Sequence, residues 1–213
     1  MWGILMKAIQ PCMILWKSMH PFRSFIRAFD HWLSGLSRVQ EFTTAADVVL
    51  RIQEATAPVE LHLPGRVIPA GAKVLMLHLW NDRMPAIPEK GPDLAWALQL
   101  RRLVESSSRA VASHIQATPA LHEMQAVGGI TAHVSFQGVN GGRAMLERLG
   151  FHILPYHRPL GAFGEIWENL FAYGLMWAYN PGSLRHHRLL DLRRTEFWMP
   201  MDQFLSRFGN PPR

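Results

Sequence analysis

His78, Asn81 and Asp82 stand close together at the end of the run Val74-Leu75-Met76-Leu77-His78-Leu79-Trp80-Asn81-Asp82-Arg83-Met84-Pro85. An imidazole, an amide and a carboxylate at the end of one strand can move a proton and orient a substrate. These three are therefore the candidate catalytic residues, with His78 as acid or base. Arg83 adds a guanidinium for an anionic ligand. Each residue also has a plainer reading. His78 is then a core histidine bonded to a backbone carbonyl or a helix cap. Asn81 and Asp82 organise the turn before Pro85 through bonds to their own backbone, and Arg83 pairs with Asp82 or Glu89. A second group, Asn140-Gly141-Gly142-Arg143, can present free N–H groups and a positive charge to a phosphate at a helix start. Asn140, Gly141 and Arg143 join Arg83 as candidate ligand contacts, against the plainer reading of a glycine-rich loop.

Other chemistries find little support. His62, His78, His133 and His152 all fall in expected strands, with Glu60 on the face of His62, but no pair has a spacing that makes a metal site readable. No metal and no cofactor is expected. No Gly-x-Ser-x-Gly elbow occurs, and the single cysteine, Cys12, has no catalytic surroundings. One cysteine also excludes an internal disulfide and leaves a reducing cytoplasm as the default location.

The elements that must position these groups follow from periodicity. The apolar run from Val74, bounded by Gly71 and Pro85, predicts a central strand buried on both faces. Strands are also expected at Val48–Ile52, Val59–Leu63, Ile130–Phe136, Phe151–Leu154 and Glu196–Met199. The longest helix starts at Pro92-Asp93 and carries the stripe Trp96, Leu100, Leu103, Val104 and Val111, with Pro119 and Gly128-Gly129 ending that helical region. A short helix, Arg143 to Leu149, closes at Gly150. Glu165 to Tyr179 forms an aromatic helix, and a last helix takes Asp202 as its N-cap. Two helical pieces broken at His20-Pro21 lead in, the second placing Phe25, Phe29, Trp32 and Leu36 on one stripe with Arg23, Arg27 and Asp30 elsewhere. The fold class is α/β: a mixed β-sheet with helices packed on it and helical extensions at both termini. Residues 1–38 form the first extension, 39–160 the core, and 161–213 an aromatic helix and basic segment packed on that core.

Three segments together resemble the YkoP-like domain family, a bacterial family also found fused to polysaccharide deacetylases. They are the strand ending in Leu-His-Leu-Trp-Asn-Asp, Gly129-Ile130-Thr131 leading to Asn140-Gly141-Gly142, and Arg148-Leu149-Gly150-Phe151-His152. The likeness spans roughly residues 40–160 and implies a cell-envelope setting without a catalytic residue to carry over. Asn140, Ala144 and Leu146-Glu147-Arg148-Leu149-Gly150-Phe151 look like the closing segment of small N-acetyltransferases. The glycine turn that would cradle a coenzyme A pyrophosphate is missing, Gln137 to Gly142 coming nearest.

Composition sets the company the chain keeps. Its 213 residues are 48% hydrophobic and 18% charged, enough for a sizeable core, and its formal charge of +6 favours anionic partners. The basic residues are spread out and not interleaved with aromatics, which argues against nucleic acid. Residues 1–19 are apolar and Met-rich, but Lys7, Pro11 and Lys17 interrupt them, so neither a membrane span nor a signal peptide is expected. Met6, Met13 and Met19 are alternative starts. The aromatic helix, fed by the basic stretch 185–194, is either buried on the sheet or in peripheral contact with the inner face of a membrane. The expected function is an accessory binding module near the cell envelope for an anionic or glycan-related ligand. The alternative is a small transferase, acyltransferase-like, or hydrolase using the end of the 74–82 strand. The residues leave open whether the chain is an enzyme, and its oligomeric state.

Overall fold

The computed structural model of the chain describes residues 23–30, 32, 35, 38–88, 90–133, 141–157, 161–184 and 192–209. Helix α1 (23–30) precedes the strands β1 (Leu50–Thr56), β2 (Leu61–Leu63), β3 (Arg66–Ile68) and β4 (Lys73–Leu79). A 3-10 turn at Asn81–Arg83 leads to α2 (Leu94–Ala117), then β5 (Ala126–His133), α3 (Gly141–Arg148) and β6 (His152–Pro155). Next come α4 (Gly161–Tyr179), β7 (Arg193–Pro200) and α5 (Met201–Phe208). The main sheet has the order β1-β4-β5-β7-β6 and is mixed: β4 pairs parallel with β5 and the other neighbours pair antiparallel. The fold is α/β, as the sequence predicts. β7, from the segment expected to pack on the core, lies inside the sheet between β5 and β6.

Period-2 alternation divides the sheet's residues between two faces. On one face Leu50, Ile52, Leu75, Leu77, Val127, Phe197 and Met199 meet Val104, Val111, Ala112 and Ile115 of α2, Leu146 of α3, and Phe204 and Phe208 of α5. Phe151 stands edge-on to Phe197 at 5.2 Å within this layer. On the other face the β2–β3 hairpin covers Val74, Ala126 and Trp198 with Leu61, Leu63 and Ile68. The rest of that second face is where polar side chains of β1, β4 and β7 collect.

Four local expectations need correction. β4 is an interior strand, but it is not buried throughout: Leu75 is fully buried, Met76 and His78 are half-buried because the hairpin covers only the start of the second face, and Leu79, at the strand's end on the first face, is exposed. Gly128 and Gly129 lie inside β5 rather than ending a helix, since β5 must pass close under Trp198 and Phe197 of β7. Asp202 sits in the first turn of α5, whose N-cap position is Pro200, because β7 runs directly into the helix. The α2 stripe shifts toward its C-terminal half: Val104 and Val111 are buried with Ser107, Ser108, Ala112 and Ile115, while Trp96, Leu100 and Leu103 are half-buried.

Helix α2 begins where expected. Asp93 accepts the Trp96 N–H at 2.8 Å, the side-chain cap that satisfies an otherwise unpaired donor. Gly150, at φ +89°, ends α3 in the left-handed conformation that glycine adopts without a Cβ penalty.

Candidate functional site

The second face of the sheet carries a polar cluster made by β1 and β4. Arg51 and His78 are directly opposed in register, and Gln53 opposes Met76, so the three side chains share one face at neighbouring and diagonal positions. His78 Nε2 donates to Gln53 Oε1 at 2.8 Å. With the amide oxygen toward the ring, Nε2 carries the proton and Nδ1 is an acceptor. Burial, aided by the Arg51 charge, pushes the His78 pKa down to about 4, so the imidazole is neutral at pH 7. His78 and Gln53 are half-buried and form the rim that solvent reaches.

Arg51 is the unusual member. It is 5% exposed, its Nη2 donates to the Leu79 carbonyl at 3.4 Å as its one hydrogen bond among the described residues, and its Nε is buried without a hydrogen-bond partner. Among the described residues no carboxylate pairs with it. A guanidinium stays charged at any physiological pH, and an uncompensated charge away from water is one of the costlier arrangements a fold can hold.

The side chains expected to act with His78 are differently engaged. Asn81 and Asp82 lie on the 3-10 turn, Asn81 half-buried and Asp82 exposed. Arg83 stacks over the Trp80 ring at 3.4 Å and donates to the carbonyls of Ala45 and Val48, tying the approach to β1 onto the end of β4. Of the second group, Asn140 lies outside the described residues. Gly141 opens α3, and Arg143 is paired along that helix with Glu147 at 2.8 Å. His62 is bonded to Glu60 at 2.9 Å in the hairpin region, and it lines a groove of about 430 Å³ with Glu147, His152 and Leu154. Another groove, of about 390 Å³, is lined by Gly150, Asp202, Gln203 and Arg207. Neither groove reaches the Arg51 cluster, and among the described residues no three metal-ligating side chains converge.

A further polar network holds α4 to the far side of the sheet. Glu196, buried on β7, accepts the Trp198 Nε1–H at 2.8 Å and the His157 N–H at 2.9 Å. Tyr156 donates to Glu168 at 2.8 Å, and burial with that carboxylate pushes its pKa up to about 12. Arg194 reaches Glu168 at 3.4 Å and Asn169 at 3.3 Å. Charges here are matched, unlike the charge of Arg51.

Sequence reading missed Arg51 and Gln53. The signal was present: Arg51 is the one charge in Val48-Val49-Leu50-Arg51-Ile52, an apolar strand run in which a cation calls for a reason.

His78 gives a pH test. Its folded pKa lies below the ordinary value of 6.5, so the neutral form is favoured on folding. The stability this contributes is complete above about pH 6.5, is lost as pH falls toward 4, and levels off below that. We expect a loss on the order of 3 kcal/mol across that window. Thermal melting of wild type and His78→Gln from pH 4 to 8 checks it: the variant should lack this part of the slope. Equal slopes would show that His78 is not held neutral. A fall at pH 7 much beyond about 1 kcal/mol would mark His78 as structural and count against a catalytic role.

The family model of the YkoP domain matches residues 22–208 of the chain. No curated protein and no solved structure matches it.

Proposed function

This chain belongs to the YkoP domain family, and on that footing we propose that it is a non-catalytic binding module for an anionic ligand, taken at the Arg51–Gln53–His78 cluster. The observation that carries this reading is the buried Arg51, which no carboxylate pairs with among the described residues and whose Nε is orphaned. An incoming carboxylate or phosphate supplies the missing counter-charge and accepts from the planar fork. The neutral His78 contributes an acceptor at Nδ1, and the Gln53 amide contributes donors. Donors for an anion beside an acceptor for a hydroxyl suit an acidic sugar better than a bare phosphate. The envelope setting rests on the family resemblance.

Binding is favoured over catalysis for a chemical reason. A general base works best with a pKa near the operating pH, and an imidazole held near 4 is a weak one. Its hydrogen-bond partner is moreover an amide, which cannot stabilise an imidazolium as a carboxylate does.

Thermal melting of the chain at fixed ionic strength tests the proposal with three probes: glucuronate, inorganic phosphate and glucose. We expect glucuronate to raise the melting temperature. The stabilisation approaches about 2.7 kcal/mol at a hundred times Kd, or about 2–4 °C per kcal/mol for a chain of this size. Glucose should have no effect. A shift with phosphate alone would assign the site to phosphate-bearing ligands. No shift with either anion would sink the proposal.

A further inference from the structure

The apolar stripe of α1, continued by Trp32 just beyond it, points outward. Phe25, Phe29 and Trp32 are 62%, 38% and 59% exposed, while Asp30, on the other side, is 7% exposed and accepts from the Tyr179 hydroxyl at 3.2 Å. This inverts the usual arrangement of a surface helix, in which the apolar stripe faces the core. The three rings form a row, Phe25 to Phe29 at 6.2 Å and Phe29 to Trp32 at 5.6 Å. Phe29 then meets Phe171 of α4 edge-on at 5.8 Å, which joins the two helices. Toward the start of α4 from Phe171, Leu170, Trp167 and Ile166 are 46%, 57% and 55% exposed. The result is one ridge of aromatic and aliphatic side chains shared by α1 and α4.

The charges around the ridge are sorted. Of the carboxylates on α1 and α4 whose side chains are described, Asp30 is turned inward to Tyr179, and Glu168 is taken by Tyr156 and Arg194. Arg27 is exposed while donating to the Ala178 carbonyl at 3.0 Å, and Arg23, half-buried, sits over the Trp177 ring at 4.8 Å. Both Arg27 and the preceding residues 1–22, which contribute Lys7, Lys17, Trp2 and Trp16, belong to a chain with a formal charge of +6. Tryptophan and phenylalanine beside arginine is the composition that settles at the boundary between lipid headgroups and acyl chains. Among the described residues no helix is long and apolar enough to cross a bilayer, so the fitting geometry is a pair of helices lying on it.

We propose that the α1–α4 ridge docks on the surface of an anionic lipid bilayer, with Trp32, Ile166 and Leu170 entering the headgroup boundary and Arg27 meeting lipid phosphates. The ridge is formed by helices, the anion cluster by β1 and β4, so failure of either proposal leaves the other standing.

Co-sedimentation with phosphatidylcholine vesicles, with and without about 30% phosphatidylglycerol, reads this directly. The full chain should pellet with the anionic vesicles and largely fail to pellet with the neutral ones, with binding weakened by added salt. Trp32→Ser combined with Ile166→Ser should lower partitioning at least about tenfold while leaving the melting temperature within a few degrees of wild type. Arg27→Gln should weaken binding to anionic vesicles only. No pelleting of the wild type overturns the proposal, as does pelleting that the double variant leaves unchanged. A dimer in light scattering that the double variant dissociates, without vesicle binding, overturns it in favour of a second copy of the chain on the ridge. Should the double variant melt far below wild type, Leu170→Ser alone provides the same comparison.

Discussion

Gly128→Ala should lower the melting temperature by about 6–12 °C, although it removes no polar side chain. Gly128 lies in β5 directly opposite Trp198 of β7. A Cβ built at this position would stand 2.3 Å from the Phe197 carbonyl oxygen and 2.3 Å from the Trp198 ring. The ring could in principle tilt, but the carbonyl belongs to the backbone of the neighbouring strand and moves only if β5 and β7 part. Trp198 is itself fixed, being 1% exposed and tied through its Nε1–H to Glu196 at 2.8 Å. Overpacking of a tight core costs about 1–3 kcal/mol and sometimes more, and a displaced ladder between two interior strands belongs at the upper end. For a chain of this size each kcal/mol corresponds to about 2–4 °C. Gly142→Ala is the matched control. It adds the same methyl group in α3 with nothing within 4 Å, and should be neutral or stabilising by up to about 1 kcal/mol. In the background of Trp198→Ala, Gly128→Ala should cost less than in wild type, since one of its two obstacles is gone. Melting curves of wild type and these four variants decide the matter. A Gly128→Ala protein within 2 °C of wild type would mean that β5 and β7 are not packed this closely.

The same pair shows what the sequence made legible and what it did not. The later part of β5 alternates clearly, and both it and the Glu196–Met199 stretch of β7 were readable as strands. Gly128-Gly129 read as a stop signal because two adjacent glycines usually punctuate. Here they clear space for Phe197 and Trp198, which lie about 70 residues further along the chain, and no local pattern encodes that need. The α2 stripe was misplaced for a similar reason. Ser107 and Ser108 look like surface residues, but Ser107 accepts the Val49 N–H at 2.8 Å and donates to the Leu103 carbonyl at 2.6 Å, so it is satisfied inside the core. The inverted α1 was illegible as well. Its amphipathic spacing is plain, but spacing gives the existence of an apolar stripe and not its direction. That direction was set by Asp30 meeting Tyr179 and by Ile26 packing against Gly174. Of the candidate site, the strand and its His78 were legible. The partners Arg51 and Gln53 were not, because cross-strand pairing depends on register between β1 and β4.

That register leads to the second large effect: Arg51→Met should make the protein more stable while removing its response to anions. Methionine is unbranched and close to arginine in length, so it can occupy the same buried channel without a cavity. The substitution removes a guanidinium that, among the described residues, makes one long hydrogen bond, to Leu79, while its Nε stays unpaired. Replacing buried ionic groups with well-packed apolar ones commonly stabilises by about 1–4 kcal/mol. Here the charge has no ion-pair partner among the described residues, so its removal strands no opposite charge. The melting temperature at pH 7 should therefore rise, by about 2–4 °C for each kcal/mol. The His78 pKa should rise a little as the nearby positive charge disappears, yet stay below its ordinary value because burial is the larger cause. At the same time the shift produced by glucuronate or phosphate should vanish. Arg51→Lys separates charge from shape: a compact ammonium keeps the burial cost but cannot offer a planar fork, so it should gain no stability and bind weakly. A chain that keeps an arginine at a position where methionine is more stable carries that charge for a ligand. If Arg51→Met instead melts well below wild type, the guanidinium is a structural strut, and the anion site must be sought elsewhere on the fold.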